Sequence, residues 1–221
     1  MEQGARPFDT GLKIDPARFD RVVAGGYSVN AGEYLRQGWE LFRAHAAESV
    51  VYTLLVFLVT AVVSMFDVFG SLLLSVVTAP LYAGFVVVAL KGSSDERFVF
   101  SDLFQGFNYF LPLVVSALMM WLFVALGFVL LVLPGVYLVV SYLFVVPLIV
   151  DYHMEFWQAM ETSRKIITAN WFSMFVLLLL LSVINIFGAL VFGIGLLVTV
   201  PLTAFSLVMA YRDIVGGHGY L

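Results

Sequence analysis

The stretch NWFSMFVLLLLLSVINIFGALVFGIGLLVTVPLTAFSLVMAYR, Asn170–Arg212, decides the fold. It carries no charged side chain before its final residue. As a single helix it would be about 64 Å long at 1.5 Å per residue, roughly twice the ~30 Å hydrocarbon core of a bilayer. It must therefore reverse once, and Gly193-Ile194-Gly195 near its middle is the turn signal. The block reads as two membrane spans, near 171–191 and 195–212.

Two further blocks have the same form, Ser49–Lys91 and Tyr109–Asp151. Their turn signals are Asp67-Val68-Phe69-Gly70 and Pro134-Gly135, which gives spans near 49–67, 71–90, 110–132 and 136–151. Backbone groups in lipid must be satisfied within the segment, and none of these runs alternates as a barrel strand does, so they read as helices. The expected fold is an all-α membrane protein with six transmembrane helices arranged as three hairpins.

Composition agrees. Of 221 residues 62% are hydrophobic and 12% charged, against roughly 45–50% and about 25% in a soluble domain. Eleven basic residues face fifteen acidic ones, and no basic run exists, which excludes nucleic acid as a partner. Cysteine is absent, so disulfides and thiolate metal sites are excluded. Residues 1–30 mix charges of both signs without an apolar core. They read as an attached cytoplasmic arm, extended or short-helical, interrupted by Pro7, Gly11, Pro16, Gly25 and Gly26, and not as a signal peptide.

Arg36, Arg43, Lys91, Arg97, Arg164, Lys165 and Arg212 flank the open ends of the hairpins, and no Lys or Arg lies at a tip. By the positive-inside rule both termini are expected in the cytoplasm. Trp39, Trp157, Trp171, Tyr109, Tyr152 and Tyr211 fall at the same boundary and read as an interfacial aromatic belt.

An amphipathic segment precedes each block. In the first, Asn30 opens a capping box with Glu33. Leu35, Trp39, Phe42 and Ala46 then share one face, and Glu33, Arg36, Glu40 and Arg43 the other. The second starts at Ser101 or Asp102 and turns Leu103, Phe107 and Phe110 inward. The third, about 155–169, groups Phe156, Ala159, Met160, Ser163 and Ile167. Each is expected to lie along the cytoplasmic membrane face. Leu35-Arg-Gln-Gly38-Trp39 matches Leu103-Phe-Gln-Gly106-Phe107, and Ser163 keeps a small residue at the glycine position. Pro80-Leu81, Pro147-Leu148 and Pro201-Leu202 recur in the second spans. A three-fold repeat follows, over about 31–91, 101–151 and 155–212. It forms one membrane domain, 31–215, with a short tail, 216–221. Each proline frees a carbonyl four residues back, those of Val76, Leu143 and Leu197, near Ser75, Thr78, Ser141 and Thr199.

Residues 30–215 resemble a superfamily of bacterial integral membrane proteins. It includes the membrane domain fused to some glycerophosphoryl diester phosphodiesterases, and the uncharacterised YciC-type inner-membrane proteins. The matching residues are Pro134-Gly-Val-Tyr-Leu, Pro147-Leu-Ile-Val-Asp151, Ala159-Met-Glu-Thr-Ser163, Asn170-Trp171, and Gly193-Ile-Gly-Leu-Leu-Val-Thr-Val-Pro201 through Ala210-Tyr211. The resemblance implies six helices in the inner membrane and carries over no catalytic residue. The phosphodiesterase chemistry belongs to a separate soluble domain.

No site chemistry emerges from the residues themselves. His45, His153 and His218 lack metal-ligand spacing; Asp151, His153 and Glu155 form the tightest cluster and read as a solvated loop. No ionisable group is expected inside the bundle, since Asp67 sits at a tip and Asp151 at a span end. The neutral polar groups Ser64, Ser116, Ser141, Ser182, Asn185, Thr199, Thr203 and Ser206 read as packing contacts, Asn185 above all. The expectation is a protein with no catalytic, cofactor or metal site, whose sensitive positions are Gly38, Gly106, Ser163, Pro80, Pro147, Pro201 and Asn185. It acts as a scaffold or accessory subunit in the lipid bilayer, as a homo-oligomer or beside a membrane-protein partner. The alternative is a small oligomeric transporter or channel for a weakly charged or amphiphilic solute.

Overall fold

A computed structural model describes residues 17–65, 67–93 and 99–216. The arm before Ala17, Arg97 and the tail beyond Gly216 lie outside these residues. Every described element is helical. In chain order they are α1 (Ala17–Gly25), α2 (Ala31–Ala44), α3 (Ala46–Val63), α4 (Asp67–Gly92) and a 3₁₀ helix (Phe100–Tyr109). There follow α5 (Phe110–Leu130), α6 (Val132–Ser141), α7 (Val145–Tyr152), α8 (Phe156–Thr168), α9 (Trp171–Leu190) and α10 (Leu196–Val215).

Five helical runs are long and apolar enough to cross a membrane: Ala46–Val63, Phe100–Leu130, Val132–Tyr152, Trp171–Leu190 and Leu196–Val215. By length and composition this is a multi-pass, all-α membrane protein. In α4 the apolar part Val76–Gly92 is shorter.

The reversals come earlier than two of the three turn signals suggest. Asp67 to Gly70 already belong to α4, and the chain turns at Ser64 and Met65. Pro134 and Gly135 open α6, after an extended Leu131. Proline lacks an N–H and has a fixed φ, so it suits a first helical turn better than the turn before it. Between α9 and α10 the turn does fall on 191–195, with Gly193 at φ +74°. Glycines let the helices of the other two reversals, α5 with α6 and α9 with α10, close up. A methyl on Gly127 would lie 2.9 Å from the Gly135 Cα, and one on Gly195 would lie 2.8 Å from the Gly188 Cα.

The expected continuous span 136–151 is broken. Tyr142, Leu143 and Phe144 form a turn, and Pro147 sits in the first turn of α7 instead of kinking a helix. Pro80 and Pro201, by contrast, lie within α4 and α10.

Helices divide into outer and inner. Within the most apolar 18-residue stretch of each, only 17% of α3, 22% of the run ending in α5 and 22% of α9 is buried, against 44% of α6–α7 and 67% of α10. The described inner part of α4 is likewise closed from Ala83 to Leu90. The core is where α4, α7 and α10 meet, built on Phe85, Phe144, Leu148, Phe205, Val208 and Tyr211. Tyr52 packs edge-on to Phe85 at 5.0 Å, Phe85 to Phe205 at 6.2 Å and Phe144 to Tyr211 at 5.5 Å. Lys91 and Arg212 mark one end of this core, here termed the basic end. The segment 17–30 is tied there: Phe19 packs edge-on to Tyr152, the Tyr27 hydroxyl donates to the Ile166 carbonyl at 3.0 Å, and Asn170 Nδ2 donates to the Tyr27 carbonyl at 2.8 Å.

Candidate functional site

The small residues singled out in the sequence all lie where an amphipathic segment meets an inner helix. Gly38 of α2 faces α10, where a methyl would strike the Ser206 hydroxyl and come within 2.9 Å of the Ser206 nitrogen. Gly106 of the 3₁₀ helix faces α4, where a methyl would fall on the Pro80 carbonyl and within 2.9 Å of the Gly84 nitrogen. Ser163 of α8 faces the break between α6 and α7. Its hydroxyl donates to the Ser141 carbonyl at 2.7 Å and accepts from the Phe144 N–H at 3.2 Å. It joins two backbone groups that the broken helix leaves without their usual partners. Leu143 was the carbonyl expected to need help; the one that receives it is Ser141.

Two of the segments are rotated from the expected faces. In α2 the buried residues are Tyr34, Gly38 and Phe42, while Trp39 is exposed. The glycine allows the closest approach, so the contact centres on it. The Asn30 carboxamide caps α2 by accepting from the Glu33 N–H at 3.2 Å. The Glu33 carboxylate, however, pairs outward with Arg36 and Gln37. The second segment is a 3₁₀ helix, whose period is three. Leu103 and Gly106 therefore turn inward, while Phe104, Phe107 and Phe110 make an outward stripe. α8 buries Ala159, Met160, Ser163, Ile166 and Ile167.

Two carboxylates are buried, contrary to the expectation of none. Asp151 is 2% exposed and accepts from the Tyr211 hydroxyl at 2.8 Å. Asp102 is 6% exposed, lies 3.0 Å from Lys91 Nζ and accepts from the Val99 N–H at 3.0 Å. Tyr152 and Tyr211, expected in a lipid-facing belt, are buried instead; Trp157 is exposed. The Tyr152 hydroxyl donates to the Gly216 carbonyl at 3.1 Å. Arg212 donates to the Ser93 hydroxyl, and the Tyr34 hydroxyl donates to the Asp213 carboxylate. Burial, then the neighbouring Asp213, pushes Tyr34 up to about 12. Burial likewise pushes Tyr27 up to about 12.

The Asp151, His153 and Glu155 cluster does not converge. Asp151 turns into the core, and His153 is exposed beside the Tyr109 ring. Glu155 is exposed at the start of α8. Among the described residues no group of three His, Asp or Glu is placed to hold a metal. Asn185 joins α9 to α10, its Nδ2 donating to Thr203 Oγ1 at 3.0 Å and to the Leu181 carbonyl at 3.2 Å.

No family model, curated protein or solved structure matches the chain.

Sequence reasoning missed Tyr34, Tyr52 and Asp102 as structural anchors. Tyrosines near span ends were the available signal, but their depth was unreadable. Lys91 and Asp102 belong to separate elements, so spacing along one helix could not reveal the pair.

Proposed function

We propose that the chain is a non-catalytic integral membrane protein, a scaffold or accessory subunit that acts from its basic end. The filled axis carries this reading. The inner helices α4, α7 and α10 meet in interlocked aromatic and aliphatic side chains with essentially no exposure. A solute path would need polar groups lining an opening. Here the buried carboxylates are engaged by Tyr211 and Lys91. In the same reading six helices cross a bacterial inner membrane as three hairpins, with both termini cytoplasmic. Its relatives are the superfamily that includes the phosphodiesterase membrane domains.

Cyclic docking supports the three-fold repeat. The amphipathic segment of the second unit packs on the inner helix of the first, through Gly106 and Pro80. That of the third packs on the second, through Ser163 and Ser141. That of the first packs on the third, through Gly38 and Ser206. In this alignment the counterpart of Pro80 is Ser141, not Pro147. Lys91 then lies eleven residues after Pro80, and Tyr152 eleven after Ser141.

Two measurements test the reading. Proteoliposomes holding the protein should leak ions and small amphiphiles no faster than protein-free vesicles; a saturable flux or unitary current would move the assignment to a transporter or channel. Reporter fusions at the two ends, each active only in the cytoplasm, should both be active. One active and one silent end would mean an odd number of crossings.

A further inference from the structure

The 3₁₀ helix Phe100–Tyr109 is wound with a period of three, which sorts its side chains into separate edges. Leu103 and Gly106 lie on the inner edge and are buried against α4. Asp102, Gln105 and Asn108 form a polar edge. Along it Gln105 Nε2 donates to Asp102 Oδ1 at 2.6 Å, and Lys91 Nζ lies 3.0 Å from the same oxygen. Ser101 opens the third edge, which continues as Phe104, Phe107 and Phe110, each 37–41% exposed. An α-helix would lose this division. Four residues make little more than one α-helical turn, so Asn108 would come to lie beside Phe104.

The other two amphipathic segments turn charge outward. α2 carries the Arg36–Glu40 pair at 2.7 Å and α8 the Arg164–Glu161 pair at 2.7 Å, and each exposes one tryptophan, Trp39 or Trp157. Of the three described segments only the 3₁₀ helix has a row of exposed aromatic rings. That row lies between two membrane spans. Phe104 packs edge-on to Tyr52 of α3 at 5.5 Å, and α3 exposes Val51, Leu54 and Leu58. Phe110 opens α5, whose next residue, Leu111, is exposed. The phenylalanine edge thus joins the apolar surfaces of two helical runs that are long and apolar enough to cross a membrane.

We propose that this helix lies at the boundary between acyl chains and headgroups, with lipid as the occupant of its phenylalanine edge and the hydrated headgroup layer over its polar edge. A helix with one edge continuous with the spans and the next edge polar meets both environments at once only at that boundary. Its one charged side chain, Asp102, is already paired with Lys91. Binding therefore draws on buried apolar area and not on anionic headgroups, and the ligand is a glycerophospholipid of either headgroup charge. The inference rests on the membrane reading above, and the test separates the two.

The chain has no cysteine, so single spin labels can be placed through Phe104→Cys and Phe107→Cys on the apolar edge and Asn108→Cys on the polar edge. All three positions are exposed, so the label needs no room in the core. The full-length variants are reconstituted in phosphatidylcholine vesicles and, separately, in phosphatidylcholine–phosphatidylglycerol vesicles. Collisions with apolar oxygen and with a water-soluble nickel chelate are then measured. The expected result is strong oxygen relaxation at 104 and 107 with loss of the nickel effect seen one residue on, at 108, and the same pattern in both vesicles. Nickel access at 104 and 107 equal to that at 108 would overturn the proposal, because the helix would then stand in water. So would protection of 104 and 107 from both reagents, because protein would then cover the edge. A pattern that appears only with phosphatidylglycerol would overturn the independence from headgroup charge. Labels through Leu54→Cys on α3 and Leu122→Cys on α5 report on the membrane reading itself. Oxygen access at these two with nickel access at 104 and 107 would remove the boundary helix and leave the spans standing. Nickel access at 54 and 122 would remove both.

Discussion

At Gly106 the chain tolerates no side chain, because the atom a methyl would meet is the Pro80 backbone carbonyl. Gly38 differs: the first atom in the way is the Ser206 hydroxyl, which can rotate, although the Ser206 nitrogen lies close behind. Overpacking of this kind costs about 1–3 kcal/mol. Gly106→Ala should therefore lower the thermal midpoint in detergent more than Gly38→Ala does; the reverse order would contradict the backbone contact. Ser163→Ala leaves the Ser141 carbonyl and Phe144 N–H without their shared partner and should cost about 1–3 kcal/mol. Ser163→Thr, which restores the hydroxyl, should recover part of that loss in the same melts. Asp151 is a structural carboxylate. Tyr211→Phe removes the hydroxyl that it accepts from and should destabilise by roughly 1–3 kcal/mol, while His153→Ala at the exposed neighbour should leave the melt unchanged.

Among the elements, the sequence made the apolar helices legible and left their joints obscure. Blocks too long for one crossing predicted reversals, and the described helices are interrupted within each block. Their positions shifted at Asp67–Gly70 and Pro134-Gly135 because proline and glycine mark helix starts as readily as turns. The break at Tyr142–Phe144 carries no Gly or Pro signal; Pro147 drew attention to the wrong turn of helix. The outward stripe Phe104, Phe107, Phe110 shows a similar limit, since a 3.6-residue period misreads a 3₁₀ helix. The packing positions were partly readable, as small residues recurring at one place in each segment. Their partners required the tertiary structure.

The strap formed by α1 and the start of α2 brings a pH dependence. Tyr34 is protonated in the fold up to about 12, above its ordinary 10.0. A raised pKa stabilises the fold fully below the ordinary value and is lost as pH rises through the folded one. Tyr27 acts in the same window. Thermal midpoints should therefore fall between about pH 10 and 12, and Tyr34→Phe should flatten part of that fall. An identical alkaline profile in the variant would show that Tyr34 is not a source of it.

For the molecule as a whole, the contact between Gly38 and Ser206 sets a timetable. The ribosome makes α2 first among the amphipathic segments, yet its docking surface on α10 emerges about 150 residues later, roughly 8–30 s at ordinary elongation rates. Until then Tyr34, Gly38 and Phe42 have no protein to pack on, and the headgroup region of the bilayer is the available shelter. A nascent chain that stops before Leu196 retains this uncovered face permanently. Such fragments should be cleared by membrane proteases far faster than the full chain, and pulse-chase decay of chains ending at Gly195 and at Gly216 measures the difference. The arrival of α10 is thus what lets α2 be sealed, which gives quality control a direct readout of whether synthesis has reached α10.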